Sequence, residues 1–232
     1  MTTDLEASMA ATAINSPALQ RLLAFPDCKQ FRGVLATAPE NQADQLTFTT
    51  LAGPGKISCP PYVATSNEKG ELLAFYHLGS QLAGHAGICH GGLSAVLLDE
   101  CMGRVCFARF ANGVGVTVKL DISYRAPIPV DSMVLVAAKI EKVEGRKAWV
   151  KATIQDPEES TVFVEAEALF IEPKWAREMS NTLQNSSMTA RQSIDIKPLS
   201  IPNSAAASSR LFQTSSTSLR TQTLLPIPNM VV

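Results

Sequence analysis

The sequence predicts an α+β fold in which a curved antiparallel sheet wraps a long buried helix. Three observations predict it. From Gly92 to Phe110 apolar residues occupy nearly every side of a helical wheel, among them Leu93, Val96, Leu97, Leu98, Met102, Val105 and Phe107. A helix that is apolar all round belongs inside something. Four strand-like runs then follow in quick succession, each with one apolar face, and short turns of Pro, Gly and Asp separate them. One apolar face per strand describes an antiparallel meander with a single face to cover.

The elements can be justified in order. Ser16-Pro17 ahead of ALQRLLAF reads as a capped helix start, with Leu19, Leu22 and Leu23 along one side. Residues 37–70 are mixed. Gln45 to Leu51 is expected as a short strand, while Gly53-Pro54-Gly55 and Cys59-Pro60-Pro61 carry loop signals. Glu71 to Leu78 is expected as a strand ended by Gly79. The long helix ends in the turn chemistry of Ala111-Asn112-Gly113.

The first strand of the meander alternates Val114, Val116, Val118, Leu120, Ile122 and Tyr124 with polar or small residues, a strict period of two. Val134 to Ile140 lines the second, Ala148 to Ile154 the third and Val162 to Phe170 the fourth. Glu144-Gly145 and Asp156-Pro157 turn the chain between them. The chain is therefore expected to divide into an N-terminal helical extension (1–44), a folded domain (45–175) and a Ser/Thr/Pro-rich tail without hydrophobic periodicity (176–232).

Composition excludes several classes of function. Hydrophobic residues make up 46% of the chain and charged ones 18%, enough for a real core. Twenty basic residues against twenty-one acidic ones leave a net charge of −1, so nothing argues for nucleic acid or an anionic membrane as partner. No apolar run approaches the roughly 20 residues of a spanning helix. Five cysteines, an odd number without a C-x-x-C pair, read as reduced thiols. The N-terminus carries Asp4 and Glu6 before its first arginine, which makes a weak mitochondrial presequence and leaves the cytoplasm as the expected compartment.

The chemistry concentrates in Gly84-His85-Ala86-Gly87-Ile88-Cys89-His90-Gly91-Gly92 and the helix that it opens. Two successive glycines let a substrate approach backbone N–H groups that a helix start leaves unpaired. A carbonyl placed there would be polarised, and an oxyanion stabilised. The alternative is a glycine pair needed only for clearance. Asp99 shares a helical side with the small residues Gly92, Ala95, Gly103 and Cys106, which leaves space beside a carboxylate. An acid in an apolar helix is expensive, so a reason for it is expected. Glu100 has an ordinary alternative, an i,i+4 pair with Arg104. His77, His85, His90 and Cys89 do not give a credible zinc spacing, and neither a G-x-S-x-G elbow nor a phosphate loop occurs. No metal or cofactor is expected.

His90-Gly91-Gly92, Asp99 nine residues after the histidine, and a strand VTVKLDISYRAPIP ending in R-x-P agree together in motif, spacing and order. In these the chain resembles the hotdog-fold thioesterases of the phenylacetate-pathway and human mitochondrial-thioesterase type, over about residues 70–173. The resemblance implies a hotdog fold and hydrolysis of an acyl-CoA or acyl-carrier thioester to free acid and thiol. It implies that the Gly91 amide, with or without Gly92, polarises the carbonyl, that Asp99 is general base or nucleophile, and that Thr117 helps to position the attacking water. Strand parity sets Thr117 opposite the apolar face unless a bulge intervenes. His90 would shape the helix start. Many members carry an asparagine six residues before the motif histidine; here that position is Gly84, and His85 beside it is the candidate replacement.

Two other readings remain open: a hotdog hydratase or dehydratase working through His85 and Asp99, and a non-catalytic acyl-thioester binder. Acyl chain and pathway, primary lipid metabolism or specialised biosynthesis, are not specified. The site is expected to be shared between two chains, because Gly91 and Asp99, eight residues apart on one helix, are separated by roughly 12 Å. A homodimer, or a dimer of such dimers, would bring each Asp99 to the other chain's Gly91.

Overall fold

The computed structural model describes residues 2–34 and 39–177, so all but the start of the expected tail lies outside the described residues. The long helix, α3, spans Gly91–Phe107. Leu97, Leu98, Cys101, Met102 and Cys106 are fully buried on it. It ends three residues before Phe110, which folds back into the core as part of the following turn.

Helices α1 (Thr2–Asn15) and α2 (Pro17–Leu23) precede strand β1 (Lys29–Arg32), and β2 (Tyr62–Ser66) and β3 (Glu71–Leu78) come next. A small hairpin of β4 (Ala83–His85) and β5 (Ile88–Cys89) leads into α3. Strands β6 (Val116–Tyr124), β7 (Ser132–Glu144), β8 (Lys147–Gln155) and β9 (Val162–Ile171) complete the chain. The main sheet is antiparallel, with strand order β1-β2-β3-β7-β8-β9-β6. Its concave side holds α3, against Leu72, Ala74 and Tyr76 of β3, Val134 and Val136 of β7, and Val150 and Ile154 of β8.

The structure corrects the sequence reading in five places. The last four strands are not a simple meander: β7, β8 and β9 are successive neighbours, but β6 crosses over to pair with β9 at the sheet edge. The sheet has seven strands, because β1 and β2, neither of them expected, extend it beyond β3. β1 lies ahead of residue 45, so the segment 1–44 contributes to the sheet and is not only a helical extension. Gln45–Leu51 is no strand: Leu46–Thr50 form a π-helical turn, with Leu46 and Phe48 turned outward. Ser16 does precede α2, but its side chain makes no capping bond, and Pro17 alone marks the start.

α1 and α2 pack on the convex side of the sheet. Met9, Leu19 and Leu22 meet Leu73, Phe75 and Leu135, a second apolar layer separate from the core around α3. This explains why ELLAFYHL reads as a continuous apolar run. β3 is buried on both faces, so alternation has no polar side to show.

Candidate functional site

The entry to α3 is held from both sides before the helix begins. Cys89 N–H donates to the Ile128 carbonyl at 2.9 Å, and His90 N–H to the Leu82 carbonyl at 2.8 Å. His90 is then the N-cap, in extended conformation, and its Nδ1 accepts the Gly92 N–H at 2.9 Å. That nitrogen must be unprotonated to accept, so the ring proton is on Nε2. His90 therefore shapes the helix start, and the Gly92 amide is occupied. Gly91 N–H, at the first helical position, has no acceptor among the described residues. The Gly91 carbonyl accepts from the Tyr124 hydroxyl at 2.8 Å. Tyr124 was not singled out in the sequence as a site residue.

The two glycines differ in what they permit. A Cβ on Gly92 would stand 3.0 Å from His90 Nδ1, so clearance explains this glycine. A Cβ on Gly91 would meet nothing nearer than the Tyr124 hydroxyl at 3.4 Å, an ordinary contact. Packing does not demand glycine there. At Gly84, a Cβ would fall 2.9 Å from His90 Cα, so a side chain there would have to displace His90. His85 is exposed on β4.

Asp99 lies two turns along α3, half-buried, and its Oδ1 accepts from the Thr117 hydroxyl at 2.6 Å. Strict alternation would have turned Thr117 away. The register between β6 and β9 shifts between Thr117 and Lys119, so Val118 is an extra, bulged residue. The bulge puts Thr117 on the same face as Leu120 and Ile122, and leaves Val118 55% exposed. The small-residue stripe around Asp99 is only partly open, because the Phe107 and Phe170 rings fill the place beside Gly103.

Glu100 faces the other flank of the helix. Its partner is the Thr47 hydroxyl at 2.5 Å, not Arg104, whose guanidinium lies 5.9 Å over the Phe31 ring. Burial pushes the Glu100 carboxyl above the usual range, and the Thr47 bond opposes that. Glu100 borders an apolar cavity of about 260 Å³ with Val34, Phe48, Ile57 and Tyr76. A cleft of about 300 Å³ opens at the helix start between Gly91, Ser94, Tyr124 and Ile128. The thiols offer no rival nucleophile. Burial drives Cys101 and Cys106 up to about 12 and raises Cys89 as well. His77 bonds to the Ser58 hydroxyl at 3.0 Å, away from the helix start.

The model of the thioesterase superfamily matches residues 86–163, the span that runs from the H-G-G entry into β9. An uncharacterized protein of Schizosaccharomyces pombe is 34% identical over 118 residues, which are 50% of this chain and 67% of that protein. Residues 86–163 belong to the thioesterase superfamily. Acyl-coenzyme A thioesterase THEM4 of Mus musculus is 39% identical over 99 residues. That match covers 43% of this chain, and 42% of the length of the mouse relative. An uncharacterized mitochondrial protein of Candida albicans is 27% identical over 161 residues, 67% of this chain and 72% of that protein. Among superfamily features, the hotdog arrangement of one helix in a curved antiparallel sheet is the one described above. No helix among the described residues is long and apolar enough to cross a membrane.

Proposed function

We propose that this superfamily member hydrolyses an acyl thioester, of coenzyme A or of an acyl carrier, to the free acid and the thiol. The observation that carries the reading is the pairing, on one helix, of an unused N–H at Gly91 with a hydroxyl-bonded carboxylate at Asp99. The thioester carbonyl oxygen accepts from Gly91 N–H, and the positive end of the helix dipole stabilises the charge that grows on it. Asp99 takes a proton from a water, whose oxygen bonds to the carbonyl carbon. The Thr117 hydroxyl holds Asp99 Oδ1, which leaves the other carboxylate oxygen for the water. Collapse of the tetrahedral oxyanion breaks the C–S bond, and the thiolate recovers the proton. Direct attack by Asp99 through a mixed anhydride uses the same placement.

The separation of roughly 12 Å between Gly91 and Asp99 supports a shared site, in which a carbonyl on Gly91 meets Asp99 of the partner subunit. The surface supports it too. β6 ends the sheet with its outer edge unpaired among the described residues, and Val116, Val118 and Tyr124 stand 39%, 55% and 57% exposed along it. An unpaired strand edge with exposed apolar residues invites a second copy. The mouse relative's name supports coenzyme A as the thiol. The cytoplasm is the proposed compartment, and fractionation decides it against mitochondria, the location in the Candida protein's name.

The test is a panel of acyl-CoA substrates with thiol detection, run beside an enoyl-CoA hydration assay. Wild type should release thiol, and Asp99→Asn should lose about 10²–10⁴-fold or more while still binding acyl-CoA. Hydration without thiol release would favour a hydratase. Tight binding without turnover would favour a binder. Thiol release within a few-fold of wild type would remove Asp99 from the mechanism.

A further inference from the structure

We infer that Tyr124 is a positioning residue that aims the Gly91 N–H, acting through the backbone and not on the substrate. The inference rests on the thioester-hydrolysis reading. The peptide joining Gly91 to Gly92 is gripped at both ends: its N–H donates to His90 Nδ1 at 2.9 Å and its carbonyl accepts from Tyr124 Oη at 2.8 Å. A peptide unit is a rigid plane, so two bonds from opposite ends fix the tilt of the plane that leaves Gly91. The plane that enters Gly91 and carries its N–H is held at the other end, where the His90 carbonyl accepts from Leu93 N–H at 2.9 Å. With both planes held, the direction of the Gly91 N–H is held too. The need for such a grip is physical. Two consecutive glycines have more backbone freedom than any other pair, and they stand in a helix's first turn, where bonding is sparse. An oxyanion donor is effective only when it is already oriented before charge develops.

Tyr124 reaches this peptide across 33 residues of sequence from β6. The same strand supplies Thr117 to Asp99, so α3 and β6 run antiparallel with a hydroxyl bond at each level. The cleft at Gly91 is walled by Tyr124, so a carbonyl entering it would find the N–H beside the ring that steadies it. Besides Tyr124, the Gly91 carbonyl has the Ala95 N–H that the helical i,i+4 ladder supplies, so the hydroxyl adds a second bond from outside the helix. In a shared site the two hydroxyls serve different active centres. Tyr124 belongs with its own Gly91, and Thr117 with the Asp99 that works on the partner's carbonyl.

The experiment uses Tyr124→Phe, which keeps the ring and removes only the hydroxyl. Loss of one aligning hydrogen bond should lower kcat about tenfold, with KM little changed. Amide exchange at Gly92 should quicken in the same variant, with melting temperature nearly unchanged. Mixed dimers then place the residue. Tyr124→Phe chains mixed with Asp99→Asn chains should recover one intact centre per heterodimer, about half of wild-type turnover. Tyr124→Phe mixed with Gly91→Val should recover none, because those two changes leave neither centre whole. A folded Tyr124→Phe with wild-type kcat, or with raised KM and unchanged kcat, overturns the positioning role. Recovery with Gly91→Val chains overturns its placement. A wild type inactive on every thioester, by contrast, overturns the hydrolysis reading itself.

Discussion

At the scale of single residues, the Thr117–Asp99 bond decides how the carboxylate is presented. A hydrogen bond to a charged group contributes about 1.5–3 kcal/mol. If that bond holds Asp99 in its working rotamer, Thr117→Val should reduce kcat by about 10–100-fold, and Thr117→Ser should stay near wild type. Valine matches threonine in shape, so the pair separates the hydroxyl from packing. Equal turnover in all three proteins would make Thr117 an ordinary strand residue. The residue scale is also where the glycines part company: Gly92 clears a ring, while Gly91 leaves a donor free.

At the scale of elements, α3 lies between two flanks of unlike character. Asp99 faces β6, and Glu100 faces the π-helical turn through Thr47. Burial raises the Glu100 carboxyl, so the folded protein binds that proton more tightly than the unfolded chain does. The sign follows from linkage. The charged form costs stability above the raised folded value, and the cost disappears as pH falls below the ordinary glutamate range. Glu100→Gln should therefore raise the melting temperature at pH 7–8, with a gain that shrinks toward acid pH. Thr47 can still donate to the amide oxygen. A variant that melts lower at neutral pH, or whose gain is the same at all pH values, contradicts this account. Turnover need not change, because Glu100 is no part of the proposed chemistry.

At the scale of the molecule, the covered and uncovered surfaces select how copies meet. α1 and α2 bury the convex side of the sheet around Phe75 and Leu135. Elsewhere on the sheet, cross-strand ion pairs such as Lys139–Glu71, Lys151–Glu167 and Arg125–Glu165 leave the surface charged. These pairs contribute little stability but discourage an apolar interface. The β6 edge and the open side of α3 remain. A dimer by light scattering is the expected state, and mixing Asp99→Asn with Gly91→Val chains should restore one centre of the two. A fully active monomer, or well-folded and demonstrably mixed chains without rescue, refutes the shared site.

The sequence by itself determined the buried helix, strand β3 and the existence of strands β6 to β9, because hydrophobic patterning is a local property that the chain writes residue by residue. It did not determine their order, since β6 lies beside β9 and not beside β7. It also marked the glycine entry and Asp99, through the cost of such residues in an apolar helix. Only the tertiary structure decided the rest. β1 and β2 are short, lie among loop signals and gain their identity from pairing, β2 with β3 and β1 with β2. The bulge at Val118, which turns Thr117 toward Asp99, exists only in the register between two strands. The partners that matter lie 18, 33 and 53 residues apart: Thr117 with Asp99, Tyr124 with Gly91, and Thr47 with Glu100. No local pattern records such pairs, because a hydrogen bond is directional and short, and long-range packing alone brings its two ends together.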